Sequence, residues 1–194
     1  RCPSRRRAGL GGDRREKARG MNFLRGFGPA HPQMDLRAVL TSGLGAALLL
    51  AATVWLLPRA TGIAVPPPLL APLGASALML AALPQSPQSQ PWSVVLGTVL
   101  AAGAAELVLH LAPAALAQWT GLVALALATV LMAAARAIHA PAGILALSLA
   151  GSGPASRVAD TAYLLFQIGA AAALLVAMAL VWHLLLGNRY PMKS

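Results

Sequence analysis

The chain has 194 residues, 58% of them hydrophobic and only 10% charged, with a mean hydropathy of +0.69. A soluble domain carries about 25% charged and about 45–50% apolar residues, so this composition lacks the polar surface to cover a soluble core. Its recurring apolar runs point to an all-α, polytopic membrane helical bundle. A single cysteine, Cys2, argues against a disulfide scaffold, and the lack of period-two alternation argues against an outer-membrane barrel.

The net charge of +10 is unevenly spread. Arg1–Gly20 hold eight of the fifteen Lys/Arg and two of the five Asp/Glu, with no Ile, Val, Phe, Trp or Tyr. Residues 1–20 are expected to form a disordered basic tail, because they have too little apolar surface to offset the entropy of ordering. They read as sequence upstream of a start at Met21, or else as a tail drawn to anionic lipid. Without aromatics or a recognition module, nucleic acid is not an expected partner, and no apolar core and cleavage site make a signal peptide. Residues 21–35 then form a cytoplasmic N-terminal segment, with His31 as a loop residue, and residues 36–191 form the transmembrane domain.

Six apolar segments follow. The first, Leu36–Leu57, has one charge, Arg37, and Pro58 is expected to stop it. The second, Ile63–Leu83, is broken by Pro66–Pro68 and Pro72 before a clean run from Ala75 to Leu83. The third, Trp92–Ala112, and the fourth, Ala114–Ala135, are long enough to span a hydrocarbon core of about 30 Å. The fifth, Ala140–Gly151, is too short to span alone, and the sixth, Thr161–Leu186, spans with tilt. Both breaks mark five or six membrane segments, according to whether the fifth is re-entrant.

Trp55, Trp92, Trp119, Trp182, Tyr163 and Tyr190 lie near segment ends, where amphipathic rings favour the interface. With both termini inside, Arg25, Arg37, Arg136, Arg189 and Lys193 fall on the cytoplasmic side and Arg59 and Arg157 outside, as the positive-inside rule prefers. Small residues at four-residue spacing, Gly97, Ala101 and Ala105 and then Gly169, Ala173 and Ala177, are expected to pack helix against helix. The alanine-, arginine- and proline-rich composition suggests a bacterial inner membrane.

The most informative pattern is a repeat. Ala71–Ala82 and Ala140–Gly151 share A-P-x-G-x-x-A-L-x-L-A, each between two long spans. Proline suits the first turn of a helix, and glycine a turn later lets a backbone or ligand come close. Each copy therefore reads as the N-terminus of a half-helix, with free N–H groups and the positive dipole end presented to an anion. Two repeats of three segments, about 36–112 and 114–186, would be inverted in the membrane, the pattern of a transporter with a central site. Pro72, Gly74, Pro141 and Gly143 are expected around one cavity, with Ser76 and Ser148 inside the half-helices.

Polar residues within spans are few. His139 precedes the second half-helix and is placed to donate to an anion or carry a proton with it, and Arg136 lies one turn earlier. Glu106 and His110 share one face of the third segment and suggest a proton relay, or a pair that satisfies itself. His183 reads as interfacial. Four scattered histidines and one cysteine make no metal site, no cofactor motif is present, and no nucleophile–base pair or paired carboxylates support an enzyme.

Arg136–Gly143, R-A-I-H-A-P-A-G, resembles the signature of the HPP family of integral membrane proteins, named for a His-Pro-Pro run followed by Ala-Gly. Ala71–Ser76, Pro84–Pro87 with Gln90-Pro91, and Asn188–Pro191 are similar to other stretches of that family, in the same order. The resemblance spans roughly Leu36–Pro191 and implies a helical membrane domain, some members being linked to nitrite transport. Three positions depart from the pattern: Ala140 replaces the middle proline, Trp92 an arginine and Thr98 a histidine. The substrate site implied is Pro72, Gly74, Ser76, Arg136, His139, Pro141 and Gly143. Two functions compete: a small transporter or channel for a small, nitrite-like anion, working as a homo-oligomer, and an accessory membrane protein that kept the fold without the site.

Overall fold

A computed structural model describes residues 35–62, 65, 67–153 and 160–191. The chain divides into two compact units, Arg1–Asp35 and Leu36–Ser194. The basic tail, Met21, Arg25, His31, Arg157 and Lys193 lie outside the described residues.

In the second unit every regular element among the described residues is helical: α1 (Leu36–Thr61), α2 (Pro67–Ala82), α3 (Pro91–Leu111), α4 (Thr120–Ala134), α5 (Ala140–Gly151) and α6 (Thr161–Leu185). Short 3-10 turns at Pro87–Ser89 and Ala114–Trp119 precede α3 and α4. Four stretches are long and apolar enough to cross a membrane: Leu36–Thr61, Pro91–Leu111, Ala115–Ala134 and Thr161–Leu185. The protein is therefore a multi-pass membrane protein. α2 and α5 are the short apolar helices, and they pack on each other.

Local chemistry explains most boundaries. α3 opens on Pro91, where a missing N–H costs nothing. α6 opens on Asp160, whose carboxylate accepts the Tyr163 N–H at 2.9 Å. Gly187, at a φ of 69°, closes α6, and Asn188 N–H returns to His183 C=O at 2.9 Å.

Several expectations need correction. Pro58 does not stop α1, which runs on to Thr61. So near the end a proline forfeits one backbone bond, and Arg59 closes the turn by donating from Nη1 to Trp55 C=O at 2.6 Å while stacking on the Trp55 ring. The fourth segment is not one α-helix, since Ala114–Trp119 winds as a 3-10 turn. α2 begins at Pro67, so Pro72 lies inside it rather than at its first turn. Only Pro141 opens a helix as expected. Trp182 lays its indole over Gly45 on α1, where a Cβ would lie 2.7 Å from Nε1. The small-residue stripe on α3 is buried, but Ala173 and Ala177 on α6 are exposed. α6 instead turns Ile168, Ala172, Leu175 and Ala179 inward.

The core has two apolar clusters. Leu49, Leu57, Leu73, Leu80, Leu175 and their neighbours join α1, α2 and α6. Ala101, Ala105, Ala128, Met132, Ala142 and Ala146 join α3, α4 and α5. α3 and α6 pack together between them. Exchanging α1, α2 and α3 for α4, α5 and α6 carries the set of packed helix pairs onto itself, although α3 packs along α4 and α5 more extensively than α6 does along α1 and α2.

Candidate functional site

Four separated stretches meet at one end of the bundle: the C-terminal half of α2, residues 83–90, residues 135–141, and the turn after α6. A chain so apolar must satisfy each buried polar group from within, and this end shows how.

Prolines there remove N–H groups and leave carbonyls exposed to other partners. Pro84 offers no N–H to Leu80 C=O, and His183 on α6 supplies one from Nε2 at 2.8 Å. His183 is 1% exposed, with Asn188 Nδ2 3.3 Å from its Nδ1, so it is buried in the bundle and not the interfacial residue expected. Ser89 donates to Met79 C=O and Ser93 to Pro87 C=O. The Gln90 amide spans Pro84 and Ser86 carbonyls at 3.0 and 3.1 Å. Across this knot, Gln85 donates to Arg189 C=O, and Tyr190 donates its hydroxyl to Ser89 C=O at 2.8 Å. Burial pushes the Tyr190 hydroxyl above its usual range, which keeps it a donor.

His139 is the centre of the arrangement. It is 0% exposed. Its Nδ1 lies 2.8 Å from Gln88 C=O, an acceptor only, so Nδ1 carries a hydrogen. Its Nε2 lies 2.8 Å from Ser76 Oγ on α2, which is also 2.9 Å from Pro72 C=O. The imidazole thus links α5, residues 83–90 and α2. It reaches this depth because Gly97 on α3 has no side chain: a Cβ there would stand 2.6 Å from Ala137 O and 3.1 Å from His139 Cβ.

The α5 N-terminus is occupied by protein. Ala140 N–H donates to the Gln88 side-chain carbonyl at 3.1 Å, Pro141 has no N–H, and Ala142 N–H returns to His139 C=O at 3.0 Å. The Gln88 amide stands where a free helix end would hold an anion.

Between the short helices lies a void of about 10 Å³ bordered by Pro72, Ser76, Thr98 and Pro141. That volume suits one water molecule. Gly74 and Gly143 border something else: a Cβ on Gly74 would meet Leu50 on α1 at 3.6 Å, and one on Gly143 would meet Leu125 on α4 at 3.0 Å. Gly143 lets α5 lie close to α4, whereas at Gly74 a Cβ would make only ordinary contact with α1. The expectation that all four motif residues surround one cavity therefore holds for the prolines and not for the glycines.

Arg136 is exposed and sits at a φ of 53°, the left-handed position that ends α4. Its N–H returns to Ala133 C=O at 3.1 Å and that of Ala137 to Met132 C=O at 2.8 Å, the closure for which glycine is usual. Trp92, in place of the expected arginine, is 62% exposed and donates to Ala135 C=O at 3.2 Å. Thr98 bonds back to Val94 C=O while bordering the void.

Glu106 and His110 stand apart from this centre, more than two turns further along α3 than Gly97. Glu106 is 2% exposed, and His110 Nδ1 donates to its backbone carbonyl at 2.8 Å with the carboxylate at 3.7 Å. A cleft of about 290 Å³ at that end is walled by Leu107, Leu111, Leu116, Trp119, Val123 and Leu127. Its one hydroxyl, Thr120, already bonds Ala117 and Ala150 carbonyls, and no side chain in its wall carries a charge. Among the described residues, no three His, Cys, Asp or Glu side chains cluster as metal ligands would.

The stretches that converge on His139 all lie within the part of the chain that is related to known proteins. The family model for the HPP transmembrane region matches residues 31–191. The chain belongs to the HPP family. Searches of curated proteins and of solved structures found no match. In this HPP protein the R-A-I-H-A-P-A-G run supplies the αL closure of α4, the buried histidine and the first turn of α5. Sequence reasoning passed over Gln88 and Ser89, and it read His183 as interfacial. The signal for the first two was the Gln/Ser run between prolines at 84–91, which is very polar for so apolar a chain.

Proposed function

We propose that this HPP protein is a small transporter or channel for a small anion, moved through the seam between α2 and α5. The observation that carries the reading is that the two short helices, one from each half, meet inside the bundle at a void bordered by Pro72 and Ser76 on one side and Pro141 on the other. Short broken helices at the contact between two halves are where such proteins hold substrate. The invariance of the packing pattern when the halves are exchanged supports an inverted repeat. An anion is favoured because the groups at hand are donors and none is acidic: the Ala140 amide now held by Gln88, the Ser76 and Thr98 hydroxyls, and His139. Moving the 83–90 loop would release the α5 end and widen the void, so the arrangement described is the closed one. The working unit is a homo-oligomer in a bacterial inner membrane with both termini cytoplasmic, and it carries out no covalent chemistry.

The accessory reading keeps one specific support, the occupation of the α5 N-terminus by Gln88. Purified chain in liposomes, assayed for flux of nitrite, nitrate, formate and chloride against protein-free vesicles, separates the two. Flux of at least one anion, reduced by His139→Gln per inserted molecule, is expected. A flat response across all four with correctly inserted protein favours the accessory role.

A further inference from the structure

The hydrogen bonds around His139 specify more than a binding residue. Ser76 has one hydroxyl hydrogen and two acceptors in reach, His139 Nε2 at 2.8 Å and Pro72 C=O at 2.9 Å. With the ring neutral, Nδ1–H donates to Gln88 C=O and the Ser76 hydroxyl donates to the Nε2 lone pair. With the ring protonated, Nδ1–H is unchanged, Nε2–H donates to Ser76 Oγ, and the hydroxyl hydrogen turns to Pro72 C=O. Pro72 C=O also holds the helical bond from Ser76 N–H in both cases. The site therefore takes up or gives back a proton with no ring nitrogen losing its partner, by rotation of one hydroxyl.

Among the described residues, what the surroundings lack is a counter-charge. α2, residues 83–90, α4 and α5 contain no Asp, Glu, Lys or Arg. α3 carries Glu106 and His110, both more than two turns beyond Gly97. α6 carries Tyr163 near its far end and His183, bonded to Leu80 C=O. Arg136, close in sequence, is exposed and of the wrong sign. A cation taken into an apolar bundle is costly unless an opposite charge accompanies it. The nearest space for one is the void that Ser76 borders.

We infer that His139 couples anion transport to protons: the anion and one proton bind together, the proton on His139 Nε2 and the anion in the widened space beside Ser76, and they leave together as a neutral load. This rests on the anion reading above and names its coupling ion. The proton comes from water on the side where the site opens and returns to water on the other side. His139 and Ser76 end each cycle as they began.

Linkage makes the inference measurable. The full-length protein in detergent is titrated with nitrite, nitrate, formate and chloride by calorimetry in two buffers of different ionisation enthalpy. The heat difference gives protons taken up per anion. The expected result is about one proton per anion, with affinity falling about tenfold per unit of rising pH between about pH 6 and 8. His139→Gln, which retains hydrogen-bonding groups, is expected to lose the proton uptake and flatten the pH dependence. Ser76→Ala, which leaves the ring but removes the acceptor of its second N–H, is expected to reduce both. The wild-type measurement stands by itself if either variant fails to fold. Anion binding without proton exchange overturns the coupling and leaves the anion reading intact. Proton uptake that persists unchanged in both variants places the proton elsewhere and also overturns it. No binding of any of the four anions at any pH overturns the transport reading, and the coupling falls with it.

Discussion

α2 and α5 carry the same Ala-Pro-x-Gly run, and their burial follows the same pattern. Pro72 and Pro141 are buried, Ala77 and Ala146 are fully buried, and Leu78 and Leu147 are exposed. Their polar surroundings are different. Pro141 opens its helix, beside a buried histidine and a glutamine that caps it from another segment, whereas Pro72 lies inside a helix already begun at Pro67. Ser76 faces His139, while its counterpart in the other copy is Leu145. The apolar face of a short helix is a shape requirement that both halves meet in the same way. A buried polar group needs a specific partner, and the two copies of the motif have been given different ones.

Six substitutions break or sharpen that comparison. The largest effect is expected at Gly97, which admits the start of α5. Gly97→Ala sets a methyl against a backbone carbonyl that cannot swing aside, and is expected to cost about 2–3 kcal/mol in a reversible unfolding assay in detergent. Gly143→Ala, which meets only the end of the Leu125 side chain, is expected to cost less than about 1 kcal/mol. Equal losses at both would show that residues 135–139 yield, and that depth of insertion does not distinguish α5.

Ser76→Ala comes next, at about 2 kcal/mol, because it leaves His139 Nε2 buried with no hydrogen-bond partner. Unchanged stability would mean that the ring finds another partner and that the α2–α5 link is dispensable.

The prolines should then differ in sign. Pro72→Ala removes a helix-interior break worth about 3 kcal/mol and loses two buried methylenes at about 0.8 kcal/mol each, a net gain of about 1 kcal/mol. Pro141→Ala loses the same methylenes without that gain, and is expected to destabilise by about 1–2 kcal/mol. Melting temperatures of the two variants moving in the same direction would contradict the different helical positions assigned to these prolines.

The smallest effect is expected at Arg136. Arg136→Gly relieves a left-handed residue and should stabilise by about 1 kcal/mol or less. If anion flux falls while stability rises, the arginine side chain serves the substrate. If both rise, it served only to end α4.

Helix segments were legible at the level of apolar length. Leu36, Ala140, Gly151 and Thr161 are helix ends in both sequence and structure, because lipid forces long apolar stretches into helices. Legibility failed where a proline acted. Pro58 and Pro72 read as boundaries and proved to be internal, since a helix held on other sides by its neighbours survives the loss of one backbone bond. His139 and Ser76 were each singled out from their motifs, but their pairing with each other and with Gln88 was not. Ser76, Gln88 and Gly97 are remote from His139 in sequence, and no local pattern records which carbonyl or hydroxyl a ring will meet.

The sequence by itself determined a membrane protein of several apolar helices, two of them short and alike, because composition and length decide how a chain meets lipid. Only the tertiary structure decided that the α5 N-terminus is capped by Gln88, that Gly74 and Gly143 face the long helices instead of the void, and that His139 is enclosed. Those outcomes depend on which polar groups come within hydrogen-bond distance once the helices pack. That distance is fixed by small residues such as Gly97, whose importance lies in what they leave room for.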